Sequence, residues 1–499
     1  MEVNFETSLC TCLKPVLTQI QNSEQTQQIS LSDGMPDVGR VLGAWGQAVL
    51  RGKEWLGSTV SCTGGVMVWV LYAPEDGSQE QCLETWIPFQ MKWELPEGTP
   101  EGEVRIRCLS RFVDARSVSA RKILVRAGMG AMAEAYSPME GVSCLPQKAE
   151  EDVQLLRREY PIRLPKQMGE KAFALDEELH LPESAPAMEK LVYCRMEPIL
   201  ADKKVLGEKV VFRGQGKLHT LYRSPEGQLH SWDFSVPFSQ FAELEQEHGP
   251  EAQADFALML TNLEAELEQG QLHCKAGLTA QYLITDRERI SLVEDAYSPS
   301  RELSLQTKTL GLPGILDSRR EVLYAEHTLP VQGDLAADVW VQPDFPRQRR
   351  TEEGILLEIP AQIQVLYYDQ DGVLQGASSR WEGSHTFRAH ADTQMTACLW
   401  PQEEPQVHMD GAELTLKQEL PMEMMAFAWE ELPIVSGLEL GALRKPDPNS
   451  PSLILRRIGE DRLWDVAKAS HSTVEAIRKA NGLTEEPAPD QMLLIPVGS

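Results

Sequence analysis

Apolar and polar residues alternate with a period of two over much of the chain. Val104, Ile106 and Cys108 form one such series, and Leu272, Cys274, Ala276 and Leu278 form another. This period puts the apolar side chains on one face of a strand, so these segments predict antiparallel β-structure with one half-buried face. Three alternating segments run into the same dipeptide and then an acidic-Gly pair: Leu71-Tyr72 before Asp76-Gly77, Leu221-Tyr222 before Glu226-Gly227, and Leu366-Tyr367 before Asp371-Gly372. Glycine after a polar residue supplies the backbone of a tight hairpin, so each is read as a strand entering a turn. Tyr72 and Tyr222 lie 150 residues apart, and Tyr222 and Tyr367 lie 145 apart.

A spacing this regular points to repeated units. Arg126-Ala127-Gly128-Met129 and Lys275-Ala276-Gly277-Leu278 follow the first two tyrosines at matching distances, and Ala135-Tyr136-Ser137-Pro138 and Ala296-Tyr297-Ser298-Pro299 close those units. The third unit keeps only Leu414, Leu416, Lys417 and Leu420 of this pattern. Ile87-Pro88-Phe89-Gln90 and Val236-Pro237-Phe238-Ser239-Gln240 share a Pro-Phe step expected at a strand entrance; the third unit has Trp381 and Phe387 nearby. Short helices are expected at 238–247, where Phe241 and Leu244 fall three apart, and at 150–159.

From Ser452 the period changes. Leu453 and Leu455 predict a short strand, Leu463, Val466 and Ala467 one face of a helix, Val474 and Ile477 a second helix, and Leu493-Leu494-Ile495-Pro496 a final strand. Ser472-Thr473 suits a helix N-cap and Asn481-Gly482 a left-handed exit, giving the order βααβ. The predicted fold class is mainly β: three antiparallel β-rich repeats followed by a small α/β domain. The expected boundaries are repeat 1 at 1–140, repeat 2 at 141–300 with a charged, helix-prone connector at 141–165, a diverged repeat 3 at 301–442, a proline-bearing linker at 443–451, and the terminal domain at 452–499. A chain of 499 residues is long enough for several cores.

Charge narrows the function. With 47 Lys and Arg against 75 Asp and Glu, the net charge is −28, which argues against a partner held by phosphate neutralisation. Nucleic acid is excluded on this reading. Residues 452–499 are nearly neutral, so the acidity lies in the body. Nine scattered cysteines without a CxxC pair fit idle thiols in a reducing compartment. No apolar run approaches the length of a bilayer span and the N-terminus lacks a leader pattern, so the expectation is a cytoplasmic protein without membrane insertion.

No catalytic signature stands out. Gly214-Gln215-Gly216-Lys217 lacks the spacing of a phosphate loop and reads as a strand with a bulge, and no Gly-x-Ser-x-Gly elbow is present. His385, His390 and His408 have no helix to align them as ligands, so no metal and no cofactor are assigned. Cys10-Thr11-Cys12 reads as two idle thiols, and paired acids such as Glu75 and Asp76 as turn chemistry. Tyr72, Tyr222 and Tyr367 are read as packing residues. The chain is expected to be a binding or scaffold protein and not an enzyme.

Two family resemblances sharpen this. Leu463-Trp464-Asp465-Val466-Ala467-Lys468, then 473–483, then Met492-Leu493-Leu494-Ile495-Pro496 resemble a LysM domain. The resemblance implies a ligand surface at Gly459, Glu460, Asp461, Arg462 and Leu463 together with Asn481, Gly482, Leu483, Asp490, Gln491 and Met492, and a ligand such as peptidoglycan or another N-acetylglucosamine-containing glycan. The family's usual Gly-Asp-Thr-Leu is here Gly459-Glu460-Asp461-Arg462-Leu463, one residue longer and with Arg462 in place of the hydroxyl, which removes a sugar partner. The repeats, with Leu-Tyr, the acidic-Gly turn and Pro-Phe-Ser-Gln, resemble SPOCS-domain proteins of endospore-forming Firmicutes. That likeness implies a spore coat morphogenetic scaffold in the mother-cell cytoplasm, its LysM recruiting the coat-basement morphogenetic ATPase of the forespore surface. A glycan-binding protein of wall or cortex and an adaptor with an unrelated partner are the alternatives.

Overall fold

The computed structural model describes residues 2–3, 5–8, 12–139, 143–146, 152–268, 270–390, 392–399, 403–445, 451–459, 461–488 and 490–497. Two short strands, β1 (Glu2–Val3) and β2 (Phe5–Ser8), come first. Block 1 follows with β3 (Cys12–Ser30), β4 (Val38–Leu56), β5 (Thr59–Pro74), β6 (Gln81–Glu94), β7 (Glu103–Ser119) and β8 (Lys122–Met139). After β9 (Ser143–Pro146), block 2 has β10 (Gln154–Leu179), β11 (Lys190–Leu206), β12 (Lys209–Arg223), β13 (Leu229–Glu243), β14 (Gln253–Glu268) and β15 (Gln271–Tyr297). Block 3 has β16 (Arg301–Pro330), β17 (Leu335–Pro343), β18 (Arg347–Thr351), β19 (Gly354–Tyr368), β20 (Leu374–Phe387), β21 (Gln394–Leu399), β22 (Gln406–Met409) and β23 (Glu413–Leu443). The chain ends in β24 (Leu453–Arg457), α1 (Leu463–Ala469), α2 (Val474–Asn481) and β25 (Met492–Pro496).

Blocks 1 and 2 have the same plan of two three-stranded antiparallel sheets: β3-β8-β7 with β4-β5-β6, and β10-β15-β14 with β11-β12-β13. In block 3 a broken pair takes the place of one strand in each sheet: β17 and β18 both lie along one edge of β19, opposite β20, while β21 and β22 both lie along β23, opposite β16. Each block closes its own apolar core between its sheets.

The Leu-Tyr dipeptide shows how alternation builds this. Tyr72 and Tyr222 point into their own block cores, where their hydroxyls donate to Pro36 O at 3.0 Å and Pro186 O at 3.1 Å. The neighbouring Leu71, Leu221 and Leu366 point the other way and meet in one cluster shared by the three blocks, with Trp45, Trp69, Tyr193 and Trp340. Both faces of these strands are therefore buried. The turns that follow use Gly77, Gly227 and Gly372 at φ of 72°, 89° and 75°, a conformation that glycine adopts without steric cost.

The blocks are also joined by polar contacts. Gln47 Nε2 donates to Met196 O at 2.5 Å and its Oε1 accepts from Met196 N at 3.0 Å, tying block 1 to block 2. Gln342 of block 3 donates to Gly46 O of block 1 at 3.2 Å. Arg105, fully buried, donates to both oxygens of Glu134 at 2.8 Å and to Asp255 of block 2 at 2.5 Å, and Arg107 joins the same two carboxylates. Two cations and two anions thus leave water together, which keeps the desolvated group neutral.

Several sequence expectations are corrected. Residues 238–243 continue β13 instead of forming a helix, with Phe238 buried and Phe241 exposed in strand alternation. The stretch at 150–159 is strand from Gln154, so the supposed helical connector is largely β10, which pairs along β15 to Leu179; 147–151 lie outside the described residues. Long-range pairing overrides weak local helix preference here. Phe89 and Phe238 lie within their strands rather than at the entrance, covering Gly64 and Gly214 across the sheet. The bulge expected in 214–217 lies on the partner β11, between Leu200 and Asp202, while β12 pairs without interruption with β13. Of the linker, 446–450 lie outside the described residues, as do Cys10 and Thr11.

Candidate functional site

The C-terminal module is a two-stranded sheet backed by two helices. Leu453, Leu455 and Arg457 of β24 lie opposite Pro496, Leu494 and Met492 of β25. Thr473 Oγ1 caps α2 by accepting from Ala476 N at 3.0 Å, and Gly482, at φ 61°, ends it. Ile458, Leu463, Trp464, Val466, Ala467, Ile477, Leu493 and Ile495 form the core.

The site residues expected from sequence divide into structural and exposed members. Leu463 is buried in the core, and Leu483 packs against it. Asn481 holds β25: its amide donates to Ile477 O and to Leu494 O, and its Oδ1 accepts from Leu494 N at 2.7 Å. Gln491 Oε1 accepts from Ala488 N at 3.0 Å. Asp461 pairs with Arg456 at 2.8 Å and Arg462 with Asp465 at 3.1 Å, both on the surface. Asp490 adopts φ 63°, and its N–H donates to Ile458 O at 2.9 Å while Ile458 N donates to Gln491 O at 3.0 Å. That bracket fixes Ile458, just before Gly459, against Asp490 and Gln491, whereas Asn481 is tied to Leu494 in the middle of β25. Glu460 lies outside the described residues.

One face of the module is committed to the body. Asp295 of β15 accepts from Trp464 Nε1 at 2.8 Å and from Lys468 Nζ at 2.7 Å. Tyr297 meets Trp464 edge-on, its hydroxyl donates to Ser472 O at 2.9 Å, and burial pushes its phenol up to about 12. Arg444 adds a bond to His471 Nε2 at 2.9 Å. The opposite face is open: Leu453, Leu455, Met492 and Leu494 all stand exposed on the outer side of β24 and β25, Leu455 at 61%. The sequence carries a signal for this face, because Leu453-Ile454-Leu455 and 492–495 are apolar at successive positions and so have no polar side.

A second polar cluster, at the junction of blocks 2 and 3, has no such signature in any one segment. The β12–β13 register sets His219 opposite Asp233, and β17 brings Asp338 to the same point. His219 Nδ1 lies 2.6 Å from Asp233 Oδ1 and Nε2 lies 3.1 Å from Asp338 Oδ1. Tyr193 donates to Asp338, and Lys217 pairs with Asp233 at 2.8 Å. Burial and Arg195 oppose the imidazolium, yet the two aspartates outweigh them and raise the His219 pKa. Burial raises Asp233, but bonding to His219 and Lys217 takes it well below the usual carboxylate range. Ligand atoms of His219, Asp233 and Glu404 come within 4.8 Å of one another. With both ring nitrogens of His219 and the Asp233 carboxylate engaged by neighbours, the cluster is built as a bridge between blocks. Elsewhere, burial pushes the thiols of Cys62 and Cys398 up to about 12, far from a reactive thiolate.

No described helix is long and apolar enough to cross a membrane. No curated protein and no solved structure gives a significant match to the chain. Among known families, residues 187–274 match the one described as SipL, SPOCS domain. The matched stretch runs from just before β11 into the start of β15 and includes the second Leu-Tyr hairpin. Block 2 is therefore similar over 187–274 to a SPOCS domain, a family associated with sporulation.

Proposed function

We propose that the chain is a non-catalytic scaffold of spore coat or envelope assembly, acting in the mother-cell cytoplasm at the forespore surface, and that its terminal LysM-like module recruits a protein, the coat-basement morphogenetic ATPase. The SPOCS likeness at 187–274 supports the setting. The observation that carries the mode of recruitment is the exposed apolar face of Leu453, Leu455, Met492 and Leu494. A contiguous apolar surface of this kind gains most from burial against another protein. A sugar, in contrast, requires convergent hydrogen-bonding groups, and here Asn481 and Gln491 spend theirs inside the module.

The test measures binding of the full chain to the purified ATPase and, in parallel, to peptidoglycan and chitin oligomers. The variant Leu455→Glu with Leu494→Glu is expected to weaken ATPase binding at least about tenfold while the helical signal of the module is kept. Binding to glycan but not to the ATPase would replace this reading with the alternative, a peptidoglycan-binding protein of wall or cortex.

A further inference from the structure

Block 3 departs from blocks 1 and 2 at one place that creates a basic cleft on an acidic protein. In blocks 1 and 2 the strand beside the Leu-Tyr strand runs through as β4 and β11; in block 3 Asp344-Phe345-Pro346 interrupts it, leaving β17 and the separate edge strand β18. Phe345 is buried with Met132 and Cys398 and pins the break against block 1. The resulting cleft, about 530 Å³, lies between β3 and β18, within the ~300–1,000 Å³ range of ligand sites.

Its lining contains Arg111, Arg347, Arg349 and Arg350 but a single carboxylate, Asp344, which is already paired with Arg111 at 2.7 Å. Arg350 donates to Thr393 O at 2.6 Å, Arg349 has only Glu358 at 3.9 Å, and among the described residues Arg347 has no ion-pair partner. All five residues of β18 are exposed. Arg347 and Arg350 thus have no carboxylate partner among the described residues and Arg349 only a long one, which makes this hollow locally basic on a chain of net charge −28. The remaining lining is mixed: uncharged polar side chains such as Gln19, Asn22 and Gln348 alternate with an apolar part made by Ile20, Met132, Phe345, Pro346, Ile355 and Met395.

We propose that this cleft docks an acidic peptide segment of a partner protein, its carboxylates on the forks of Arg347 and Arg349 and an apolar side chain against Ile20, Met132 and Met395. Guanidinium forks match carboxylates in two-point geometry, and the apolar part of the lining favours a peptide over a compact inorganic anion. This contact is separate from the face of the terminal module.

The experiment follows fluorescence anisotropy of a labelled peptide of alternating glutamate and leucine with the full chain at low and high salt. The variant Arg347→Glu with Arg349→Glu, and the milder Arg347→Gln with Arg349→Gln, are compared with Arg116→Glu plus Arg213→Glu, an equal charge change elsewhere on the surface. The expected result is salt-sensitive binding, at least about tenfold weaker in the Glu cleft variant, partly weakened in the Gln variant, and within about twofold of wild type in the control. Equal loss in cleft variant and control, or no binding by the wild type, overturns the proposal. Tripolyphosphate binding at the cleft without peptide binding overturns the peptide assignment. Self-association abolished by the cleft variant would place a second copy there in place of a separate partner.

Discussion

At the scale of single residues, Glu197 is the most informative. Counted back from the Leu-Tyr leucines, Gln47, Glu197 and Gln342 occupy matching places, opposite Met67, Lys217 and Gln362. The two glutamines bond the backbone of the next block, and Glu197 lines a cavity with Val341, the position matching Met196 and Gly46. Burial pushes its carboxyl up to about 7, against the pull of Arg195. A raised carboxyl contributes stability at low pH that is lost between about 4.5 and 7, and the raised His219 contributes stability that is full below about 6.5 and lost above it. Lys217, Arg195, Asp233, Asp338 and Glu404 face His219 and set that balance. The junction of blocks 2 and 3 therefore weakens as the medium turns alkaline. Glu197→Gln should stabilise the protein by about 1–2 kcal/mol at pH 8 and much less at pH 5, read from denaturant midpoints at the two values. A gain that is the same at both pH values would refute this. At the module joint, Asp295→Asn should cost about 1–2 kcal/mol of docking, seen as faster hydrogen exchange in 463–469 with the body unchanged.

At the scale of elements, the period of two was enough to read the chain as mainly β, because strand faces in this fold have sharply different surroundings. The failures share one cause. Residues 154–159 and 238–243 are locally compatible with helix, and their pairing partners lie outside the segments themselves, at Ser291–Tyr297 and at Lys209–Gly214, so the pattern within each segment does not show them. Which face of a strand meets a neighbouring block was equally hidden, so the His219 cluster, assembled from β12, β13 and β17, had no signature in any one segment. The glycines of 214–217, in contrast, have a purely steric role. A Cβ on Gly214 would meet Ile199 O at 2.0 Å and the Phe238 ring at 2.8 Å, whereas one on Gly459 meets nothing within 4 Å. Gly214→Ala should thus lower stability by about 2–4 kcal/mol, and Gly459→Ala should change it by less than about 0.5 kcal/mol, both by thermal melting. Comparable effects at the two positions would refute the steric account.

At the scale of the whole molecule, the blocks fold as neighbours that depend on one another. Removing one member of a buried charge group strands the rest, so Glu134→Gln should destabilise by about 3–5 kcal/mol through the unbalanced Arg105 and Arg107. Because Asp255 belongs to block 2, the loss should appear in both blocks, and hydrogen exchange should rise in β14 as well as in β8. A change confined to block 1 would show that the blocks melt separately.

The shared cluster of Leu71, Leu221 and Leu366 has a consequence for growth. Each block gives its inner face to the other two, so the body is a closed ring of three in which every repeat is interior, unlike a solenoid whose last repeat offers a ready template for another. Any lattice it builds must be knitted from its outside, through attachments that decorate the ring and do not extend it, and the number of neighbours each chain can hold is then set by how many of those attachments it carries.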